Sequence, residues 1–233
     1  KIGFAQNAPT EPPKEAGFVT VAAGEGFREI FKNLGADFVI EGGQTMNPSA
    51  ENILNAIKSV NAKNIFIFPN NKNIFLAAKQ AASMAKDKNC IVMQSKSVPQ
   101  GITALVSYNP NESWEENKKS MTESMEYVHC GQVTTAVRDA TINDIVIKTG
   151  DALCLYDGDV VFAESSGDFE GAKKLIVHMA KSGGEVMTIY CGADATESAA
   201  AQLAAFAGKT FPQFEVEVQK GGQVVYPYII SVE

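Results

Sequence analysis

Asn64-Ile65-Phe66-Ile67-Phe68-Pro69-Asn70-Asn71-Lys72-Asn73 is the stretch on which the fold turns. Consecutive apolar residues from Ile65 to Phe68 read as a strand buried on both faces, and Pro69 ends it. An Ala-rich helical pattern then runs from Asn73 to Lys86, and Ile91 to Met93 returns as a further strand. Upstream, Ser49 is well placed to cap a helix whose inward face is Ile53, Leu54, Ile57 and Val60. Before it lie a short strand at Phe38 to Ile40, a helix over Glu25 to Leu34 stopped by Gly35, and a strand at Phe18 to Ala23. Strands of unbroken apolar character alternating with helices predict a parallel sheet covered on both faces. Short right-handed crossovers then restrict it to a doubly wound layer.

The second half reads differently. Two helical stretches between Pro99 and Val128 are interrupted at Asn109-Pro110. Beyond them, Gln132 to Val137 and much of Ile145 to Leu155 alternate, the pattern of half-buried antiparallel strands. Asp157-Gly158 between two apolar runs predicts a tight hairpin, since both residues tolerate positive φ. Helices at Phe169 to Lys181 and Thr196 to Ala207 then alternate with strands at Val186 to Tyr190, Phe214 to Val218 and Val224 to Val232. The fold class is therefore two-lobed α/β, with a parallel first lobe and a mixed second lobe. Residues 1–17, with Pro9, Pro12 and Pro13, read as a linker or arm; 18–110 as the parallel lobe; 111–130 as a helical bridge; and 131–233 as the mixed lobe.

The chain has 233 residues, 45% hydrophobic and 20% charged, with a formal net charge of −7. The apolar runs are strand-length, so no transmembrane span is expected, and dispersed Lys and Arg argue against a nucleic-acid surface. No secretory signal opens the chain, and it lacks an initiator Met, as an excised fragment would. Cys90, Cys130, Cys154 and Cys191 are far apart, without a C-x-x-C pair. An even number leaves disulfides open, but apolar surroundings favour free thiols and a cytoplasmic setting.

Two loops follow parallel strands, where α/β sheets bind ligands. The first is Glu41-Gly42-Gly43-Gln44-Thr45-Met46-Asn47-Pro48-Ser49, combining flexible glycines with polar side chains. The second is Asn70-Asn71-Lys72-Asn73, able to hold a polar or anionic group at a helix start. Each can equally be a plain connection with a turn and a cap. If the first is a site, Gln44, Thr45 and Asn47 lie close to Asn70 and Asn73. Gly24-Glu25-Gly26 is not a dinucleotide fingerprint, because Glu29 stands where the third glycine belongs and Glu25 repels phosphate. No Walker-type loop exists either, so the chain is not expected to bind or hydrolyse ATP. His129-Cys130 and His178 lack zinc-type partners and read as structural, so no metal and no catalytic residue is assigned. Arg138-Asp139 is either a local ion pair or a surface contact, the latter making Arg138 a further partner-binding candidate. Gly221-Gly222-Gln223 repeats the Gly-Gly-Gln of the first loop and with Tyr226 makes Gln223 and Tyr226 further binding candidates, or else it is a glycine turn into an edge strand, where Pro227 is allowed.

Taken together, several of these stretches resemble the dihydroxyacetone-kinase-like C-terminal domain of fatty acid kinase catalytic subunits. They are Val21 to Gly26, the E-G-G-Q-T-M-N-P-S run, Pro69 to Asn73, Gly131-Gln132-Val133-Thr134 with Ala136-Val137-Arg138, and Gly221-Gly222-Gln223 with Tyr226. Val224 departs from the Pro that the family favours there. The resemblance implies a DegV-like, dihydroxyacetone-kinase-like fold within a longer protein of phospholipid synthesis. A separate kinase domain would hold ATP and magnesium, and none of its catalytic residues is present here. It also implies docking of a fatty-acid-binding acyl-carrier protein, with a homodimer formed through the parent protein. Three readings stand at this point: an interaction module docking that carrier, a domain binding a fatty acid, phosphate or polyol itself, and a phosphotransferase, disfavoured by the missing nucleotide motif. A long apolar tunnel would favour the second, and a polar face with an exposed apolar patch the first.

Overall fold

A computed structural model describes residues 11–43 and 46–233. The first lobe is a four-stranded, wholly parallel sheet in the order β2-β1-β3-β4. Its strands are β1 (Lys14–Ala22), β2 (Phe38–Glu41), β3 (Ala62–Phe68) and β4 (Asn89–Val92). The apolar run of β3 is continuous because both faces are covered. Ile65 and Ile67 face one way, against helices α2 (Ala50–Ser59) and α3 (Phe75–Met84). Phe66 and Phe68 face the other, with Phe18 and Ala22 of β1, against α1 (Glu25–Asn33), α4 (Val98–Val106) and α5 (Trp114–Glu126). Strand alternation thus sorts one apolar sequence into two cores.

The second lobe is a six-stranded sheet in the order β11-β10-β12-β5-β8-β9, in which only β10 and β11 pair in parallel. These strands are β5 (His129–Thr135), β8 (Ala152–Tyr156), β9 (Asp159–Glu164), β10 (Val186–Cys191), β11 (Glu215–Lys220) and β12 (Tyr228–Val232). Helices α6 (Asp168–Met179) and α7 (Glu197–Thr210) cover one face. The opposite face contributes Cys130, Tyr190 and Ile229 to the same core that holds Phe27 and Met125 of the first lobe. The layer of α1, α4 and α5 is therefore shared by both sheets. A separate two-stranded ribbon, β6 (Ala140–Ile142) with β7 (Ile145–Ile147), completes the lobe.

Several sequence expectations need correction. Strand β1 begins at Lys14, inside the segment read as an arm, where Lys14 and Ala16 pair with Ala62 and Asn64 of β3. Strand β12 begins at Tyr228, not Val224, and lies between β10 and β5, so it is no edge strand. Pro227 is tolerated because it precedes the ladder. The segment 111–130 is α5 plus the start of β5, and α5 packs against the first lobe through Met121 and Met125. The β6–β7 hairpin is not expected from the sequence pattern, although Asn143-Asp144 adopts positive φ at both residues, 50° and 64°, as Asp157-Gly158 does at 49° and 93°.

Candidate functional site

The carboxyl ends of β2, β3 and β4 open into a cleft of about 750 Å³ whose other wall is built by β5, β8 and the loop before β12. The strands end here because their sequences change from apolar to Gly, Asn, Gln and Ser. The loops after β2 and β3 both reach the cleft, contributing Glu41, Gly42, Gly43 and Met46 from the first, and Asn70, Asn71, Lys72 and Asn73 from the second. Gln223 and Tyr226 also line it. Asn47, Ser49 and Arg138 do not. Gln44 and Thr45 lie outside the described residues.

Many of the lining side chains have a duty in the fold. Ser49, behind the first loop, accepts from Asn52 N at 3.1 Å and closes a capping box on α2. Asn70 adopts φ 57° and is buried. Its Nδ2 donates to Thr20 Oγ1 and Val21 O, each at 2.9 Å, and its backbone N–H donates to Ser95 Oγ at 3.0 Å. Asn71 Oδ1 accepts from Asn73 N at 2.9 Å, making the turn into α3. Gln223 is buried too, with Nε2 donating to Tyr190 O at 3.1 Å and Tyr226 O at 3.0 Å. Glu41, Lys72 and Asn73 are exposed. Tyr226 is half-buried, and burial first, then the nearby Cys130, pushes its hydroxyl up to about 12. Arg138 is exposed on the second lobe, and its neighbour Asp139 accepts from Thr149 N–H at 2.8 Å and pairs with Lys148 at 3.7 Å.

The loop after β4 brings Gln94, Lys96 and Ser97 into the same cleft, and the first turn of α4 adds Gln100. The sequence reading misses this loop, although the rule applied to the β2 and β3 loops would have found it. The start of β5, read from sequence as structural, belongs to the cleft as well. There His129 Nδ1 meets Asp157 Oδ2 at 2.8 Å, while Asp157 Oδ1 accepts from Cys130 N at 2.8 Å. His129 and Asp157 both line the cleft, and the imidazole stacks on Tyr156 at 5.5 Å. Cys130 is a poor nucleophile, because burial pushes its thiol up to about 12. The cleft thus carries the cations Lys72 and Lys96, the carboxylates Glu41, Glu126 and Asp157, and apolar patches at Phe27, Met125 and Ile229. Large apolar side chains stand exposed at its mouth: Met46 at 68%, Val224 at 55% and Val225 at 39%. Among the described residues no group of His, Cys, Asp and Glu is arranged to hold a metal ion, and no helix is long and apolar enough to cross a membrane.

Similarity to known proteins follows this architecture. The family model for the C-terminal region of FakA-like fatty acid kinase proteins matches residues 17–233. Protein YloV of Bacillus subtilis is 45% identical over 225 residues, which is 96% of this chain and 40% of that protein. The chain therefore spans about two-fifths of the length of such relatives. Among solved structures, a DegV lipid-binding protein from Thermotoga maritima has a TM-score of 0.68 at 12% identity, covering 93% of this chain and 96% of that one. The Streptococcus pneumoniae fatty acid kinase B3 protein, loaded with linoleic acid, has a TM-score of 0.58 at 16% identity, covering 80% and 76%. These structural likenesses establish a DegV-type fold. By the family match and the identity to its relatives, the chain belongs to the FakA-like C-terminal family of fatty acid kinase.

Proposed function

We propose that this chain is the docking module of a longer fatty acid kinase-like protein. It would receive a fatty-acid-loaded carrier at the mouth of the interlobe cleft, so that a separate ATP- and magnesium-binding domain can phosphorylate the acid. The observation that carries this reading is the rim of the cleft, where Met46, Val224 and Val225 stand exposed beside the exposed charges of Glu41, Lys72, Lys96, Glu126 and Asp157. Exposed apolar side chains ringed by polar groups are the usual mark of a protein contact. The setting implied is cytoplasmic, in phospholipid synthesis, with any homodimer formed through the rest of the longer protein.

Immobilised chain is titrated with a DegV-type carrier protein, lipid-free and loaded with oleate, by interferometry. Saturable binding that weakens at least tenfold in Met46→Asp, about 1.4 kcal/mol, supports docking. Absence of binding to either form removes it. The cleft volume favours a second reading, direct binding of a fatty acid, as several solved proteins of this fold do. Native mass spectrometry with oleate and the chain alone tests that reading, a one-to-one complex being its expected signature.

A further inference from the structure

Between the anchored residues Gln223 and Tyr226 lie two valines with an unusual backbone. Val225 adopts φ 74°, in the left-handed region. For a β-branched residue this is a true outlier, because the side chain collides with its own backbone. Such a conformation persists only where its surroundings hold it. The anchors are plain. Gln223 is tied through its side chain to Tyr190 O and Tyr226 O, and its carbonyl accepts from Ala193 N at 2.8 Å. Beyond Tyr226, the carbonyl of Pro227 accepts from Gly192 N at 2.8 Å. The valine pair itself is held more lightly: Thr134 Oγ1 donates to Val225 O at 2.8 Å, joining the loop to β5. Both valines are exposed, and both line the cleft.

We infer that Val224-Val225 is a sprung strap at the mouth of the cleft, latched by the Thr134 hydroxyl and free to relax once that latch opens. Relaxation means rotation of Val225 to negative φ, which carries the two side chains away from their present place and changes access to the cleft. The inference depends on the cleft alone and on no particular occupant, so it survives or fails independently of carrier docking.

Two variants test it, read by thermal melts, elastase cleavage and amide hydrogen exchange on the whole chain, with a glycine variant as control. Asn tolerates the left-handed region, so Val225→Asn removes the strain and is expected to raise Tm by about 2–4 °C. Val225→Gly should raise it less, because glycine also loosens the unfolded chain. Thr134→Val keeps the shape and removes the latch. Elastase cleavage after Val224 or Val225 should quicken at least tenfold, with exchange in β12 unchanged. A Tm unchanged or lowered by Val225→Asn would show that no strain is stored. Cleavage at 224–225 that stays the same in Thr134→Val, or quickens together with exchange throughout β12, would show that there is no latch. Either result overturns the strap.

Discussion

Asn70 and Gln223 each bury an amide whose carbonyl oxygen finds no hydrogen-bond donor among the described residues. Each oxygen rests against the Cα of a glycine. A Cβ added at Gly101 would come within 2.1 Å of Asn70 Oδ1, and one at Gly221 within 2.0 Å of Gln223 Oε1. The amides hold the two walls of the cleft in shape, and the glycines make room for them. Gly101→Ala is therefore expected to destabilise by about 2 kcal/mol through overpacking. Gly208→Ala, in α7 where nothing lies within 4 Å, should stabilise by roughly 0.5–1 kcal/mol. Urea melts of the pair separate crowding from helix propensity. Titration gives a second check at this scale. The Lys174 ammonium first, then the Ser166 N–H, hold the Glu164 carboxyl down to about 2. Its folded value lies below the unfolded one, so its contribution is complete above about pH 4.5. That contribution is lost as pH falls from there towards 2. Lys174→Met should accordingly move the acid-unfolding midpoint to higher pH, followed by far-UV circular dichroism.

At the scale of elements, what was legible in the sequence depended on whether a local signal sufficed. The buried run Ile65 to Phe68, the Ser49 cap and the Asp157-Gly158 turn carry their structure in a few adjacent residues. The extra residues of β1 do not. Lys14-Glu15-Ala16 is polar and short, and it becomes strand only because β3 supplies a partner ladder. The central place of β12 was hidden for the same reason, since its neighbours are fixed by pairing far along the chain. Half of the cleft followed from the rule that parallel strands end in ligand-facing loops. The rest, from β5 and the Gln223 loop, required knowing how the second sheet lies against the first. Local signals are also the easiest to test. Ser113 Oγ accepts from Glu116 N at 3.2 Å and Glu116 Oε2 accepts from Ser113 N at 2.9 Å, a capping box on α5. Ser113→Ala should cost about 1 kcal/mol, measured as a lower denaturation midpoint at unchanged slope.

The whole molecule raises the question of whether two lobes mean two folding units. The cores argue against it. One core lies wholly in the first lobe and another wholly in the second, but the third joins them, with Phe27 and Met125 packed among Cys130, Tyr190 and Ile229. Phe27 sits at the joint: its ring is 4.9 Å from that of Tyr190, and its N–H donates to Gly221 O at 3.0 Å. The approach of the Gly24-Glu25-Gly26 turn is so close that a Cβ at Gly26 would lie 1.7 Å from Lys220 O. That contact gives this glycine pair a purpose unrelated to any nucleotide. Since the shared core can form only when both lobes are folded, the wild-type chain should unfold in one transition. Trp114, the single tryptophan, belongs to the first lobe's side of that core, whereas circular dichroism reports both lobes. The two probes should therefore give coincident curves. Phe27→Ala deletes a fully buried ring and should cost about 3–5 kcal/mol. Gly26→Ala leaves every core residue in place but forces the turns apart, and so weakens the coupling more selectively. In that variant the tryptophan and circular-dichroism curves are expected to separate as each lobe begins to unfold on its own. Curves that remain superimposed in Gly26→Ala would mean that the joint is held by the shared apolar core alone, without help from the glycine contact.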